Sequence, residues 1–518
     1  MGWNTCKVLE KNEYRLKEEQ TFDLAMSEKE TSYKNSLKAT SLFGGVQIYK
    51  IIIQIVRSKC VAIFLGPEGM GIMSLLNSTI SMISSFTNCG LSSSAVRNIA
   101  DASNVHESKR ISTVITVLRR LIWFTGLVGT LICAIGSSLW SKMAFGNSDF
   151  TIAFILLAIN VLFLQLAAGQ RAILQGLQKY RYLAVASIIG EALGLAICVP
   201  LYYVWGVDAI VPVLVLVDLS AFLLTWYYSH KVKIPKVNIT RLDIKSDGGN
   251  MIKMGILISL STLLGTLASY LIRIYIRDTG NIADVGLYGA GFTLVESYVG
   301  LVFAAMATDY YPRLSKVAKD NRLFGESINS QAEIAIILLA PIVIAFVVFA
   351  RLGIIILYSE EFLSIEGMVY WAIAAILIKA LAWSMSYAVL AKGDTRVFFW
   401  NEFATLIYGF ILNVIGYKLY GLTGMGVSFF VKYVIYFVQL AIVTKKQYAV
   451  RLNLGLVKLF SFFFAFVILS LLLKLLDVIW VNYLLGIVLL TIVTLISYKE
   501  LDRRVALTAF IHRKIKNT

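Results

Sequence analysis

The sequence predicts an all-α polytopic membrane protein with about fourteen transmembrane helices. Three observations carry this. Of 518 residues, 58% are hydrophobic and only 15% charged, with a mean hydropathy of +0.74; a soluble domain carries roughly 25% charged residues. Continuous apolar runs of membrane-spanning length, about 20 residues, recur along the whole chain, unlike the short alternating segments of an outer-membrane barrel. Lys and Arg gather in the short connections between runs, the topology signal of helical membrane proteins. That placement also sets aside a nucleic-acid partner despite the net charge of +17, because no soluble basic domain presents the charge.

Taken in order, residues 1–37 are polar and of mixed charge, from Lys7 through Glu18 and Glu28 to Lys34. They lack the basic start and short apolar core of a secretory signal and read as a cytoplasmic tail. An N-lobe, 38–230, holds spans near 39–64, 70–95, 112–138, 150–174, 182–204 and 208–229. A basic cytoplasmic linker, 231–250, leads to a C-lobe, 251–446, with spans near 251–275, 285–308, 331–352, 368–391, 397–417 and 423–444. Spans 13 and 14, near 456–474 and 479–498, occupy 447–498, and 499–518 form a basic cytoplasmic tail.

Loop charges orient the chain. Connections on one side hold Lys109, Arg110, Lys179, Arg181, Lys231, Lys233, Arg313, Lys316, Lys392, Lys445 and Lys446, among others. The opposite connections hold Lys142, Arg277, Lys418 and Lys474 with Glu68, Asp208, Glu360 and Glu361. A roughly sixfold bias places both termini in the cytoplasm. The short outside connections leave no room for an exoplasmic catalytic domain. The cysteines (Cys6, Cys60, Cys89, Cys133, Cys198) are isolated and His106, His230 and His512 lie in polar segments, so no metal centre or disulfide is expected. No GxxxxGK[ST] loop and no Ser-His-Asp constellation occurs, so neither an ATP-driven pump nor an enzyme is expected, and no cofactor is implied.

An internal repeat shows in two matched segments. Val56-Arg57 is followed 14 residues after the arginine by Gly71-Ile72-Met73, and Ile272-Arg273 is followed at 13 by Gly286-Leu287-Tyr288. Each reads as an apolar helix with an internal arginine, a short outside turn and a Gly-led helix. Two halves in the same orientation imply parallel repeats about an axis along the membrane normal.

Charged residues inside a membrane cost roughly 2.5–3.5 kcal/mol each on insertion scales and mark function. Arg57 and Lys59 lie on span 1, and Arg273 and Arg277 on span 7. A cavity between the halves would oppose Arg57 and Arg273, whose planar forks suit a diphosphate; Lys59 and Arg277 are the accompanying candidates. Glu296 and Asp218 are expected to act as counter-ions or to hold a coupling proton or sodium ion. Arg119 and Arg120, near the cytoplasmic end of span 3, read as snorkelling cations.

Several motifs together resemble the oligosaccharide flippases of the multidrug/oligosaccharidyl-lipid/polysaccharide exporter superfamily, closest to the Wzx-type O-antigen translocases and the enterobacterial common antigen translocase. They are Phe64-Leu65-Gly66-Pro67-Glu68-Gly69-Met70-Gly71, Phe145-Gly146-Asn147-Ser148-Asp149-Phe150, Gln175-Gly176-Leu177-Gln178-Lys179-Tyr180, Asp284-Val285-Gly286-Leu287-Tyr288, Tyr311-Pro312-Arg313-Leu314-Ser315 and Ala391-Lys392-Gly393-Asp394. The resemblance implies two pseudo-symmetric six-helix lobes around a central cavity, here with two further C-terminal helices. It implies an undecaprenyl-diphosphate-linked oligosaccharide as substrate, moved between leaflets by alternating access, in contact with membrane lipid. A polysaccharide polymerase and a chain-length regulator are further partners it brings into view. The rivals are a peptidoglycan lipid II flippase, a cation-coupled multidrug exporter, for which an acidic cavity would be expected, and a membrane-embedded sugar polymerase or ligase, which would want a long outside loop.

Overall fold

A computed structural model of the chain describes Gln47, residues 49–104 and 108–232, Ile234, Pro235, Val237, and residues 247–474 and 478–505. The expected 1–37 tail, most of the linker and the tail beyond 505 fall outside these.

Inside a membrane every backbone N–H and C=O must find a partner within its own segment, which leaves helices as the outcome for these apolar runs. The elements are α1 (Tyr49–Asn88), α2 (Leu91–Asn104), α3 (Ser108–Ile135), α4 (Ser137–Phe145), α5 (Thr151–Gly176), α6 (Tyr180–Trp205) and α7 (Ile210–His230). After the linker come α8 (Gly249–Thr279), α9 (Ile282–Phe292), α10 (Tyr298–Lys316), α11 (Asn321–Leu357), α12 (Glu366–Ala391), α13 (Thr395–Tyr448), α14 (Leu454–Leu473) and α15 (Ile479–Val505).

Eleven helical stretches are long and apolar enough to cross a membrane. Three of them, α1, α6 with α7, and α13, are doubled by a turn at Gly66, Gly206 or Gly421, where φ is +63°, +54° and +55°. The described spans therefore number fourteen. Left-handed φ costs a residue with a Cβ roughly 1–2 kcal/mol, so glycine sets these one-residue reversals. A fourth reversal, at Gly280, is fixed by Asn281, whose side chain accepts from the Asp284 N–H at 2.8 Å, and by Tyr417, whose hydroxyl donates to Asp284 at 2.7 Å. All four turns lie at one end, the turn end; the basic connections lie at the other.

Burial separates the two ends. One large apolar cluster joins both halves, including Val61, Leu75, Phe154, Ile276, Val285 and Ile376. Towards the basic end two smaller clusters take over, one around Leu91, Ile115 and Ile173 and one around Tyr310, Phe324 and Val389. Met251 at the start of α8 packs into the first of these, so the base of span 7 leans on the N-terminal half. The outer belt is apolar and exposed, as at Phe124, Ile135, Ile152 and Trp480, as required of a surface that meets lipid. Helices α14 and α15 pack on α11, tied by Lys474 to the Val348 carbonyl at 3.0 Å and Arg504 to Glu333 at 2.9 Å.

Candidate functional site

Between the halves lies a cavity of about 920 Å³. Corresponding pieces of each half wall it: Lys50, Gln54 and Arg57 from span 1, Ser74, Asn77 and Ser81 from span 2, Thr262, Thr266, Ser269 and Arg273 from α8, and Gly289 and Thr293 from span 8. Steps of three and four residues, 50-54-57 and 262-266-269-273, keep each polar set on one helix face.

Arg57 Nη1 lies 3.8 Å from Glu191 Oε2, itself on the cavity wall. A Cβ at Gly194 would stand 2.3 Å from Arg57 Nη2, so the glycine lets the guanidinium lie against α6. Arg273 Nε donates to Ser74 Oγ of the other half at 3.0 Å, and its Nη1 donates to the Ser269 carbonyl at 2.9 Å and to the Ser269 hydroxyl. Its guanidinium carbon sits 5.8 Å from the Tyr288 ring centre. Arg57 thus has a carboxylate neighbour, whereas Arg273 is held by neutral groups, Ser74, Ser269 and the Tyr288 ring. Among the described residues lining these walls, Lys50, Arg57 and Arg273 face one carboxylate, that of Glu191.

The other two expected diphosphate ligands point elsewhere. Lys59 Nζ donates to the Ile355 carbonyl at 2.7 Å and the Tyr358 carbonyl at 2.5 Å. Arg277 Nη2 donates to the Met143 carbonyl at 3.0 Å and pairs with Asp278 at 2.6 Å. Each joins one half to the other near the turn end, because free helix-terminal carbonyls there accept a cation in place of water. Glu296 is a counter-ion, but to Lys379 at 3.1 Å and not to the arginines; it sits on the π-helical turn Thr293–Ser297 between α9 and α10. Asp218 accepts from Asn160 at 2.9 Å and lies in the field of Arg171 and Arg57.

Sequence reasoning missed Lys50, Gln54, Asn77 and the Ser/Thr lining. The three-and-four spacing of polar residues through spans 1 and 7 was the signal available. Lys50 lay inside the run read as span 1, 39–64, and was passed over beside Arg57 and Lys59.

The turn end is shut by contact between glycines. A Cβ on Gly71 would stand 1.9 Å from the Ile282 carbonyl oxygen, and one on Gly286 2.1 Å from the Pro67 carbonyl oxygen. These are the two glycines of the internal repeat, brought backbone to backbone.

A family model described as polysaccharide biosynthesis protein matches residues 60–366. The chain belongs to that family. The polysaccharide biosynthesis match runs from within span 1 across both halves to the first residue of α12, so it contains Arg273 and the partners Ser74, Glu191 and Ser269, while Arg57 precedes it. The lipid III flippase of Escherichia coli K12 is 20% identical over 417 residues, covering 78% of this chain and 96% of the relative, and that of Shigella flexneri matches equally. Among solved structures, an inward-facing MATE family multidrug transporter has a TM-score of 0.64 at 15% identity, covering 77% of this chain and 96% of its own. The lipid II flippase MurJ in an inward closed conformation has 0.63 at 14%, covering 90% and 99%. An outward-facing MATE structure has 0.57 at 15% identity, covering 80% and 96%. These likenesses show the fold, that of the multidrug and flippase transporters. The chain is a multi-pass membrane protein.

Proposed function

We propose that this protein flips an undecaprenyl-diphosphate-linked oligosaccharide repeat unit from the inner to the outer leaflet of the bacterial cytoplasmic membrane, with both termini in the cytoplasm. The product feeds O-antigen, lipopolysaccharide or another surface polysaccharide, where a polymerase and a chain-length regulator would act next. The carrying observation is that Arg57 and Arg273, one from each half, line the same cavity. Their forks suit the two phosphates, the Ser, Thr and Asn side chains suit sugar hydroxyls, and the prenyl chain stays in lipid. Lys50 is a third cation for the diphosphate.

In this reading the basic end is cytoplasmic and loads substrate. The Gly71–Gly286 contact, with the cross-half bonds of Lys59 and Arg277, is the outer seal that parts when the halves rock.

The test is deletion followed by mass spectrometry of isoprenyl-linked sugars. Diphosphate-linked repeat units should accumulate and surface glycan should fall, with both restored by the wild-type chain but not by Arg57→Ala or Arg273→Ala that still insert. Unchanged lipid-linked sugars on deletion would overturn the function; full rescue by both variants would overturn the site. A peptidoglycan lipid II cargo is the second reading, favoured by the 90% coverage of this chain by the MurJ structure. Accumulated muropeptide-linked carrier in the same spectra would select it.

A further inference from the structure

The N-terminal half carries a second, smaller opening that the flipping cycle does not use. It lies among α3, α5 and α7, holds about 160 Å³, and is lined by Arg119, Trp123, Gln170, Phe222, Trp226 and His230, among others. Gln170, Trp226 and His230 fall in the last two turns of α5 and α7, at the basic end. Trp123 and Trp226 are 49% and 45% exposed on the lipid-facing surface. Trp226, near the end of α7, puts the mouth of the opening at headgroup depth, where Trp is favoured, while Trp123 lies deeper, at the middle of α3.

Two polar groups in it lack partners among the described residues. Gln170 is 7% exposed, yet its Oε1 accepts nothing, and Arg119 Nε donates to nothing. Gln165, little more than one turn away on α5, shows the usual outcome: its amide is satisfied by Thr125 at 2.7 Å and Thr87 at 2.6 Å. Buried polar atoms without partners are costly and call for an explanation. The two orphans are also complementary, one a cationic donor and the other a neutral acceptor. A further acceptor stands beside them. His230 Nδ1 donates to the Trp226 carbonyl at 2.9 Å, which leaves Nε2 of the neutral ring with a lone pair. The Trp226 and His230 rings lie 4.6 Å apart, and π faces of this kind attract an ammonium.

We propose that this flank binds the headgroup of a phospholipid that carries a phosphate and a primary ammonium. The phosphate meets Arg119. The ammonium donates to Gln170 Oε1 and sits against Trp226 and His230. The space admits one phosphate and a two-carbon amine but not an oligosaccharide diphosphate, whose place is the cavity almost six times larger. A bound lipid would brace α3, α5 and α7 against each other at the basic end.

The test uses the full-length chain in detergent, with short-chain phosphatidylethanolamine, phosphatidylglycerol and phosphatidylcholine and with inorganic phosphate. Binding is read by native mass spectrometry and thermal melting. Phosphatidylethanolamine should bind most tightly, and Arg119→Ala and Gln170→Leu should each weaken it at least about tenfold, as for loss of a hydrogen bond involving a charged group. Arg119→Lys should fall between. Gln170→Leu should leave the lipid-free protein as stable as wild type or more so, because it removes an orphan; a residue needed only for packing would do the opposite. Equal binding of the three lipids, equal protection by inorganic phosphate, tighter binding of phosphatidylglycerol, or undiminished phosphatidylethanolamine binding in both variants would each overturn the proposal.

Discussion

At the scale of single residues, the two cavity arginines are not equivalent. Arg57 has Glu191 at 3.8 Å, while Arg273 is held by two serine hydroxyls and a carbonyl. Removing Arg57 leaves the carboxylate facing an anionic cargo; removing Arg273 leaves only neutral groups. Arg57→Ala should therefore reduce transport more than Arg273→Ala, each by at least about tenfold, the scale of a lost charge-assisted hydrogen bond. Glu191→Gln should recover part of the Arg57→Ala loss and little of the Arg273→Ala loss, giving a coupling energy specific to the first pair. Flipping in reconstituted vesicles checks this. Lysine at either position should recover only part, since the bidentate fork is gone, and Lys316→Ala, on an exposed loop-side surface, should transport normally. Arg57 and Arg273 were legible in the sequence because charge in an apolar run is rare and their surroundings repeat. Lys59 and Arg277 carry the same charge in the same runs, yet they reach backbone carbonyls. Which cation turns inward and which caps a neighbour depends on helix rotation, which short polar-apolar patterns do not fix.

At the scale of elements, the turns at Gly206 and Gly421 have no atom close enough to obstruct a Cβ. The cost of Gly206→Ala or Gly421→Ala is then conformational alone, about 1–3 kcal/mol each, because ψ of −127° and −136° puts both outside the left-handed helical well, and should show as a fall in melting temperature with transport kept. Gly66, Gly206 and Gly421 end apolar runs, and that is why the spans could be read from hydropathy: each run breaks where a left-handed residue is needed. The π-helical turn at Thr293–Ser297 was hidden. It turns Glu296 towards Lys379 on α12, a partner 83 residues away along the chain, and nothing local in the sequence announces it.

At the scale of the whole molecule, one apolar cluster is shared by both halves, and two separate clusters lie towards the basic end on either side of the cavity. Gly71 and Gly286 let the halves touch. In a cysteine-free background, Gly71→Val should prevent that contact and hold the turn end open. A cysteine at Asn77 should then label faster with an impermeant maleimide added outside, and unchanged labelling would count against the seal. The pairing of these glycines was foreshadowed by the repeat, although their contact is a tertiary fact. The cavity has a further consequence. Among the described residues, Lys50, Arg57 and Arg273 against Glu191 leave it about two positive charges in excess, which a diphosphate cargo would cancel under the proposed function. Each elementary charge crossing a membrane exchanges about 2.3 kcal/mol per 100 mV. With a cell interior that is electrically negative, voltage would pull on the vacant carrier and scarcely on the loaded one, so the resting potential would power the return stroke and make the cycle one-directional without a chemical gradient of any small ion.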